Sequence, residues 1–516
     1  MKHVFLFGIF GWFLSFTLVA QTGIWQWSVP VRNFSIHPKN SESRAYLWIP
    51  GQCEQVKAIL VAQHNMEEIS ILEDEAFRQR MAELGVAQIW VCPSFNHGFD
   101  FTDGAWETLD GLLADLAEES GYKELSTAPL IAIGHSAAAS WPYYLAAYKP
   151  ERTLACISVS GQWPYHRDRL ETMGEYESAH TWSNEGLKER KEHPLLPLSM
   201  LACPAEGHFA YTPEKAQYIA LYIKKAMHYG HVDPTKEGWL MERWKKNEKP
   251  SCIPAPVNQF KGDPAQAFWF FDREMIEATL AYQSRYYDMK PQLVSVSQNG
   301  KTVSQQNTHL QVHPAFIPQE DGITFQLTPV FLDTVPGESP RLSNWTDLPV
   351  GASIGHAGKS PVLQMITGPA VLVDSVTFRI QWNRGTLWTD KKSDIVFSIT
   401  HPGDKEYKPA VQQAQITIPV KNREGQPQHI EFATLPDIKR GTKYVSLSAV
   451  SSCGLPVDFY VESGPAYVDG NRLILTAIPP KAAYPVKVTV IAWQYGKNSY
   501  PKIKTAEPVK QTFYIR

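Results

Sequence analysis

Apolar and polar residues follow two different rhythms along this 516-residue chain. Between about residues 24 and 230, short continuous apolar runs alternate with segments whose apolar positions recur at helical spacing. The runs are Trp25–Arg32, Arg44–Pro50, Ala58–Gln63, Ala87–Pro93, Leu130–Ile133, Leu154–Ser160, Leu170–Met173 and Leu198–Cys203. Between several of them the spacing predicts helices over Glu68–Leu84, Trp106–Ser120, Ala137–Tyr148, Trp182–Glu192 and Pro213–Tyr229. Leu109, Leu112, Leu113 and Leu116 form the apolar stripe of one of these. Strands alternating with helices imply a mostly parallel sheet with helices on both faces. Residues 231–290 are less regular: a proline-rich piece, Pro250 to Pro256, precedes a helix expected over Asp272–Tyr287. From about 291 the rhythm becomes strict alternation, as in VTFRIQW, DIVFSI, AQITIPV, KYVSLSAV, RLILTAI and VKVTVIAW, with turn signals at Asn299-Gly300 and Pro402-Gly403. Closely spaced strands of this kind predict all-β domains, the last an Ig-like β-sandwich.

Length and the ends of the pattern divide the chain further. It is too long for a single core. The expected division is a leader at 1–20, an α/β domain at 21–230, a connector with a helix packed on it at 231–290, a β domain at 291–430 and the sandwich at 431–516. The leader reads as a secretory signal peptide: Lys2 and His3, an apolar run from Val4 to Ala20, then Gln21-Thr22. No cysteine follows the expected cut, so no lipid anchor is implied, and the mature protein is expected in the periplasm or outside the cell. Losing Lys2 moves the formal charge from −3 to −4. That near-neutral balance argues against a polyanion-binding surface and gives no sign of nucleic acid. Cys92, Cys156 and Cys203 lie in or beside apolar runs and read as buried thiols. Cys53 and Cys252 are a possible pair. No His/Cys spacing suits a metal, and no cofactor is expected. Asn33-Phe-Ser35 and Asn344-Trp-Thr346 are sequons, without meaning in a bacterial source.

The candidate chemistry centres on PLIAIGHSAAAS, residues 129–140. An apolar run ends in Gly134-His135-Ser136-Ala137-Ala138, and a helix follows. In a strand–turn–helix context, G-x-S-x-A reads as a nucleophile elbow, with Ser136 strained and exposed at the turn and small residues two positions either side. In such sheets the partners follow in the order nucleophile, acid, histidine. His208, after Gly207 at the end of the last apolar run, is the expected base; His166, His180 and His193 lie in polar, charged segments. The acid is expected in Met173-Gly174-Glu175-Tyr176-Glu177, with Glu177 the first candidate and Glu175 the second, and Asp168, ahead of that segment, is a third. The oxyanion hole takes one N–H from Ala137 and a second from the loop His64-Asn65-Met66-Glu67, by position Met66 with Asn65 close behind. His64, Asn65, His135 and Trp163 are candidate substrate contacts. For His64 a bracing role is the alternative, and for Trp163 packing under its loop. The loop Asn96–Asp100 opens at the same edge, and Trp106 is expected to face the core.

The elbow IGHSAA, the loop QHNM and the late GHF together resemble the α/β-hydrolase superfamily over roughly residues 40–230. Segments such as MGEYES and SGPAYVDGN are similar to exported serine esterases of polysaccharide-degrading bacteria, some of them pectin methylesterase-like. The resemblance implies a Ser-His-Glu carbohydrate esterase acting on a plant-type polysaccharide or oligosaccharide. Its ester would be a uronic acid methyl ester or an O-acetyl group. The elbow ends in Ala138 rather than glycine, and the acid is glutamate rather than aspartate. An exported serine peptidase and a non-catalytic glycan-binding protein are the alternatives.

Overall fold

The computed structural model describes residues 24–32, 43–96, 104–161, 169–174, 179–304, 311–337, 345–386 and 392–516. The expected leader, the first sequon and Asn344 lie outside them.

The first part is one eight-stranded sheet in the order β1-β2-β4-β3-β5-β6-β7-β8. The strands are β1 (Trp27–Pro30), β2 (Arg44–Trp48), β3 (Ala58–Gln63), β4 (Val86–Cys92), β5 (Leu130–His135), β6 (Thr153–Val159), β7 (Arg169–Gly174) and β8 (Leu198–Cys203). β2 runs antiparallel to both its neighbours, and from β4 onward all pairs are parallel. Each central strand is apolar on both faces because both faces are covered. Ile59, Val61, Leu130 and Ala132 point into one core with α3 (Ala105–Ser120). Leu60, Ala62, Ile131 and Ile133 point into another with α2 (Glu75–Leu84) and α6 (Pro213–Tyr229). Trp106 is buried in the first core, as expected.

Two expected helices differ in outline. Glu68–Leu84 is two helices, α1 (Glu68–Leu72) and α2, because Asp74 takes an extended conformation and caps the Phe77 amide at 2.7 Å. Ala137–Tyr148 opens as a short 3-10 turn over Ser136–Ala138, and α4 begins only at Trp141. α5 spans Ala179–Glu192. The segment 231–290 carries a small sheet that its composition hid, Ala255–Pro256 and Ala267–Phe270 on either side of Trp239–Glu242. Its helix α7 is Arg273–Gln283, with Asp272 as the cap rather than the first helical residue. Cys53 and Cys252 are not paired: all six cysteines are free, and Cys53 is packed into the first core.

From Leu293 onward every named strand pairing is antiparallel. Val362–Thr367, Lys392–His401 and Ala410–Pro419 form one three-stranded sheet, with Phe378, Phe397 and Trp382 in the core beneath. The last strands, among them Asp458–Ser463, Val486–Trp493 and Val509–Ile515, do not enclose a core apart. Phe459, Val488 and Phe513 join the same cluster as Leu113 and Trp27 of the α/β sheet. Tyr122 ties the two regions, its hydroxyl donating to the Cys53 carbonyl and accepting from the Lys481 amide. This is the α/β-hydrolase layout followed by all-β sheets that the two rhythms of the sequence predict.

Candidate active site

β5 ends at His135, and the chain then turns so sharply that Ser136 sits at φ 52°. That left-handed conformation is rare for a residue with a side chain and lifts Oγ clear of the sheet. The turn leaves no room on the strand side: a Cβ on Gly134 would stand 1.8 Å from the Ala138 carbonyl oxygen. Gly134→Ala is therefore expected to force the elbow open, costing about 1–3 kcal/mol of stability and most of the activity. Thermal melts together with turnover of an activated ester check this. Wild-type activity in the variant would contradict it.

His208, on the loop after β8, places Nε2 2.7 Å from Ser136 Oγ. That is hydrogen-bond distance for removal of the hydroxyl proton. The backbone of this loop is held from both sides. His135 Nε2 donates to the His208 carbonyl at 2.8 Å, which fixes its tautomer. Burial and the neighbouring His208 hold the His135 imidazole well below the usual histidine range, so it stays neutral. On the other side Glu206 accepts from the Tyr282 hydroxyl and pairs with Lys215 of α6 at 2.9 Å. Lys215 also donates to the Ala210 carbonyl and lies 4.0 Å from Glu67. Burial alone would lower this ammonium, but Glu206 and Glu67 outweigh it and hold it above the usual lysine range.

Of the other expected site residues, Ala137 is exposed directly after the nucleophile. Asn65 donates from Nδ2 to the His135 carbonyl at 2.8 Å. The Met66 amide donates to Glu68 Oε2 at 2.8 Å, so the expected oxyanion donor is already engaged. His135 does not face substrate, because its ring is wholly buried against His208 and Phe209. His64 packs edge-on against Trp90, with ring centroids 5.4 Å apart, and also lines a cavity. His193 is exposed. Asp168, Glu175, Glu177, Trp163, His166 and residues 97–100 lie outside the described residues, as does the side chain of His180.

The cavity holds about 230 Å³ and is lined by His64, Met66, Trp90, Arg384, Lys392 and Asp394, so one wall comes from the β region. Ile366 and Val396 of that region pack on Phe209, with Met66 against them. Ser70 of α1 donates to the Ile366 carbonyl at 2.6 Å. A larger cavity of about 850 Å³, lined by residues such as Pro150, Leu195 and Val232, does not include the Ser136 neighbourhood.

The residues that sequence reasoning passed over are Glu68, Glu206, Lys215 and the Ile366–Val396 wall. Only Glu68 left a local signal, the capping-box spacing Asn65-x-x-Glu68.

No family model matches the chain, and no curated protein matches it. Solved structures similar to it include the esterase PE8, at 15% identity and TM-score 0.27 over 35% of this chain and 97% of that one. A dienelactone hydrolase from Anabaena variabilis ATCC 29413 matches at 14% identity and TM-score 0.28, over 40% and 98%. MGS-M1, an α/β hydrolase enzyme from a Medee basin deep-sea metagenome library, matches at 10% identity and TM-score 0.29, over 40% and 99%. At such scores the fold assignment rests on the strand order and register of the sheet itself.

Proposed function

We propose that the chain is a serine ester hydrolase working through an acyl-enzyme, and that its substrate is an ester on a plant-type polysaccharide. The observation that carries the first part is the 2.7 Å approach of His208 Nε2 to Ser136 Oγ on a left-handed elbow. Ser136 Oγ attacks the ester carbonyl carbon while His208 takes its proton. The negative charge that develops on the carbonyl oxygen meets the N–H of Ala137, the residue directly after the nucleophile. As the tetrahedral species collapses, His208 returns the proton to the leaving alcohol and the acyl group stays on Ser136. Water, deprotonated by His208, then releases the acid and restores the serine. Glu177, or else Glu175, completes the triad by orienting the imidazole.

The glycan part of the reading rests on the resemblance of the sequence to exported carbohydrate esterases, and export through a leader at 1–20 belongs with it. A uronic acid methyl ester comes first: the sugar carboxyl becomes the acyl group and methanol leaves. With an O-acetyl group the sugar is the alcohol instead. Methanol and acetate release from methylated and from acetylated pectins separates the two, with methanol the expected product. Cleavage of casein or peptides with both esters left intact would overturn the esterase reading. Glu177→Gln is expected to lower kcat more than Glu175→Gln.

A further inference from the structure

Glu68 opens α1 and is 1% exposed. Its two carboxylate oxygens reach in different directions. Oε1 accepts from the His135 amide at 2.7 Å, one residue before the nucleophile. Oε2 accepts from the Met66 amide at 2.8 Å and the Asn65 amide at 3.3 Å. Asn65 answers by donating its side-chain amide to the His135 carbonyl. One side chain thus joins the loop after β3 to the last residue of β5. All its partners are backbone N–H groups, so both oxygens must accept. An ionised carboxylate does this, whereas a carboxylic acid or a carboxamide would aim a donor at a donor.

We propose that Glu68 is a positioning residue: as a carboxylate it ties the loop carrying Asn65 and Met66 to His135, and so holds the elbow carrying Ser136 and Ala137 in place, and protonation releases that link and lets the elbow shift. The proposal rests on the serine ester hydrolase reading and adds a control to it. Burial, only partly offset by the amide hydrogen bonds and reinforced by Glu67, pushes the Glu68 carboxyl up to about 7. The charged group set beside it is Glu67 on its own loop, which itself lies 4.0 Å from Lys215 of α6, and β5 contributes the His135 amide. His135 is kept neutral, so it offers Glu68 no compensating charge. The carboxylate is the form present above its pKa, and the link is therefore lost as the pH falls through about 7.

The test is Glu68→Gln, a mimic of the protonated acid at every pH, assayed on p-nitrophenyl acetate beside the wild type. The variant is expected to lose on the order of 10²-fold in kcat, the size of one oxyanion donor, with KM within about threefold. In the wild type, log kcat/KM should fall on the acid side more steeply than in the variant, by about one in slope, because Glu68 takes up a proton that the variant cannot. Hydrogen exchange gives a readout independent of turnover. Amides in 64–70 and 131–138 should exchange faster in the variant at pH 8, and wild type at pH 6 should approach it after correction for intrinsic rates. Wild-type kcat and slope in the variant, or unchanged exchange in both segments, would overturn the proposal. Should the variant not fold, exchange in both segments of the wild type that does not change between pH 8 and pH 6 would do the same. Retained turnover in Ser136→Ala would instead sink the ester hydrolase reading and leave the exchange result to decide on Glu68.

Discussion

Ser136→Ala lowers kcat on an activated acetyl ester by roughly 10⁶-fold, the order seen when a serine hydrolase loses its nucleophile. No other hydroxyl is needed in the scheme, and His208 without the Ser136 proton has nothing to transfer. What remains is the modest effect of the oxyanion donors on water attack. His208→Ala should cost about as much, and the double variant no more than either alone, because the two groups act as one unit. Alanine keeps the Cβ that strains the φ 52° turn, so the melting temperature should hardly change. Ser136→Gly, which relieves the strain, should be more stable by up to about 1 kcal/mol. Steady-state kinetics and thermal melts measure all of these. A Ser136→Ala protein within tenfold of wild type would remove the serine from the mechanism.

Lys215→Met is expected to give the largest loss of stability, about 3–5 kcal/mol. Lys215 is 2% exposed, Glu206 6% and Glu67 0%. Methionine fills the volume but leaves two buried carboxylates facing each other without a cation. Removing one member of such a group costs far more than replacing the group whole. Glu206→Gln should accordingly recover part of the loss when added to Lys215→Met, whereas independent effects would simply add. Chemical denaturation of the single and double variants reads this directly. A single variant within about 1 kcal/mol of wild type would mean that the cluster does not carry the His208 loop. Because the cluster lies under that loop, kcat should fall with stability, even though none of its members touches Ser136.

The elements most legible in the sequence are the buried parallel strands. Ala58–Gln63 and Leu198–Cys203 have the bounds that their apolar runs suggest, because a strand covered on both faces shows as an uninterrupted run. The elbow was legible for a different reason: a glycine, a serine and an alanine at that spacing follow from the steric limits of one turn. Glu68 was not. A glutamate at the start of an amphipathic helix satisfies the helix dipole and needs no further account, and its decisive partner, the His135 amide, lies 67 residues away. The cap at Asp74 splits a helix whose apolar spacing runs on through it. KYVSLSAV reads as one alternating strand but is two, Tyr444–Ser446 and Ala449–Ser451, since alternation alone does not say where pairing stops. The shared core of the sandwich strands and the α/β sheet was equally invisible, because an apolar residue does not name the surface it will meet.

Ile366 and Val396 sit on Phe209 and Met66, the neighbours of the base and of the oxyanion loop. The trailing β region is therefore part of the enzyme's inheritance rather than an accessory to it. A recombination that exchanged that region for another module would bare two apolar side chains at the rim of the reaction centre and remove the Ser70–Ile366 tie. A substitution at either apolar side chain of the second half would then be felt by the residues beside the base and the loop after β3.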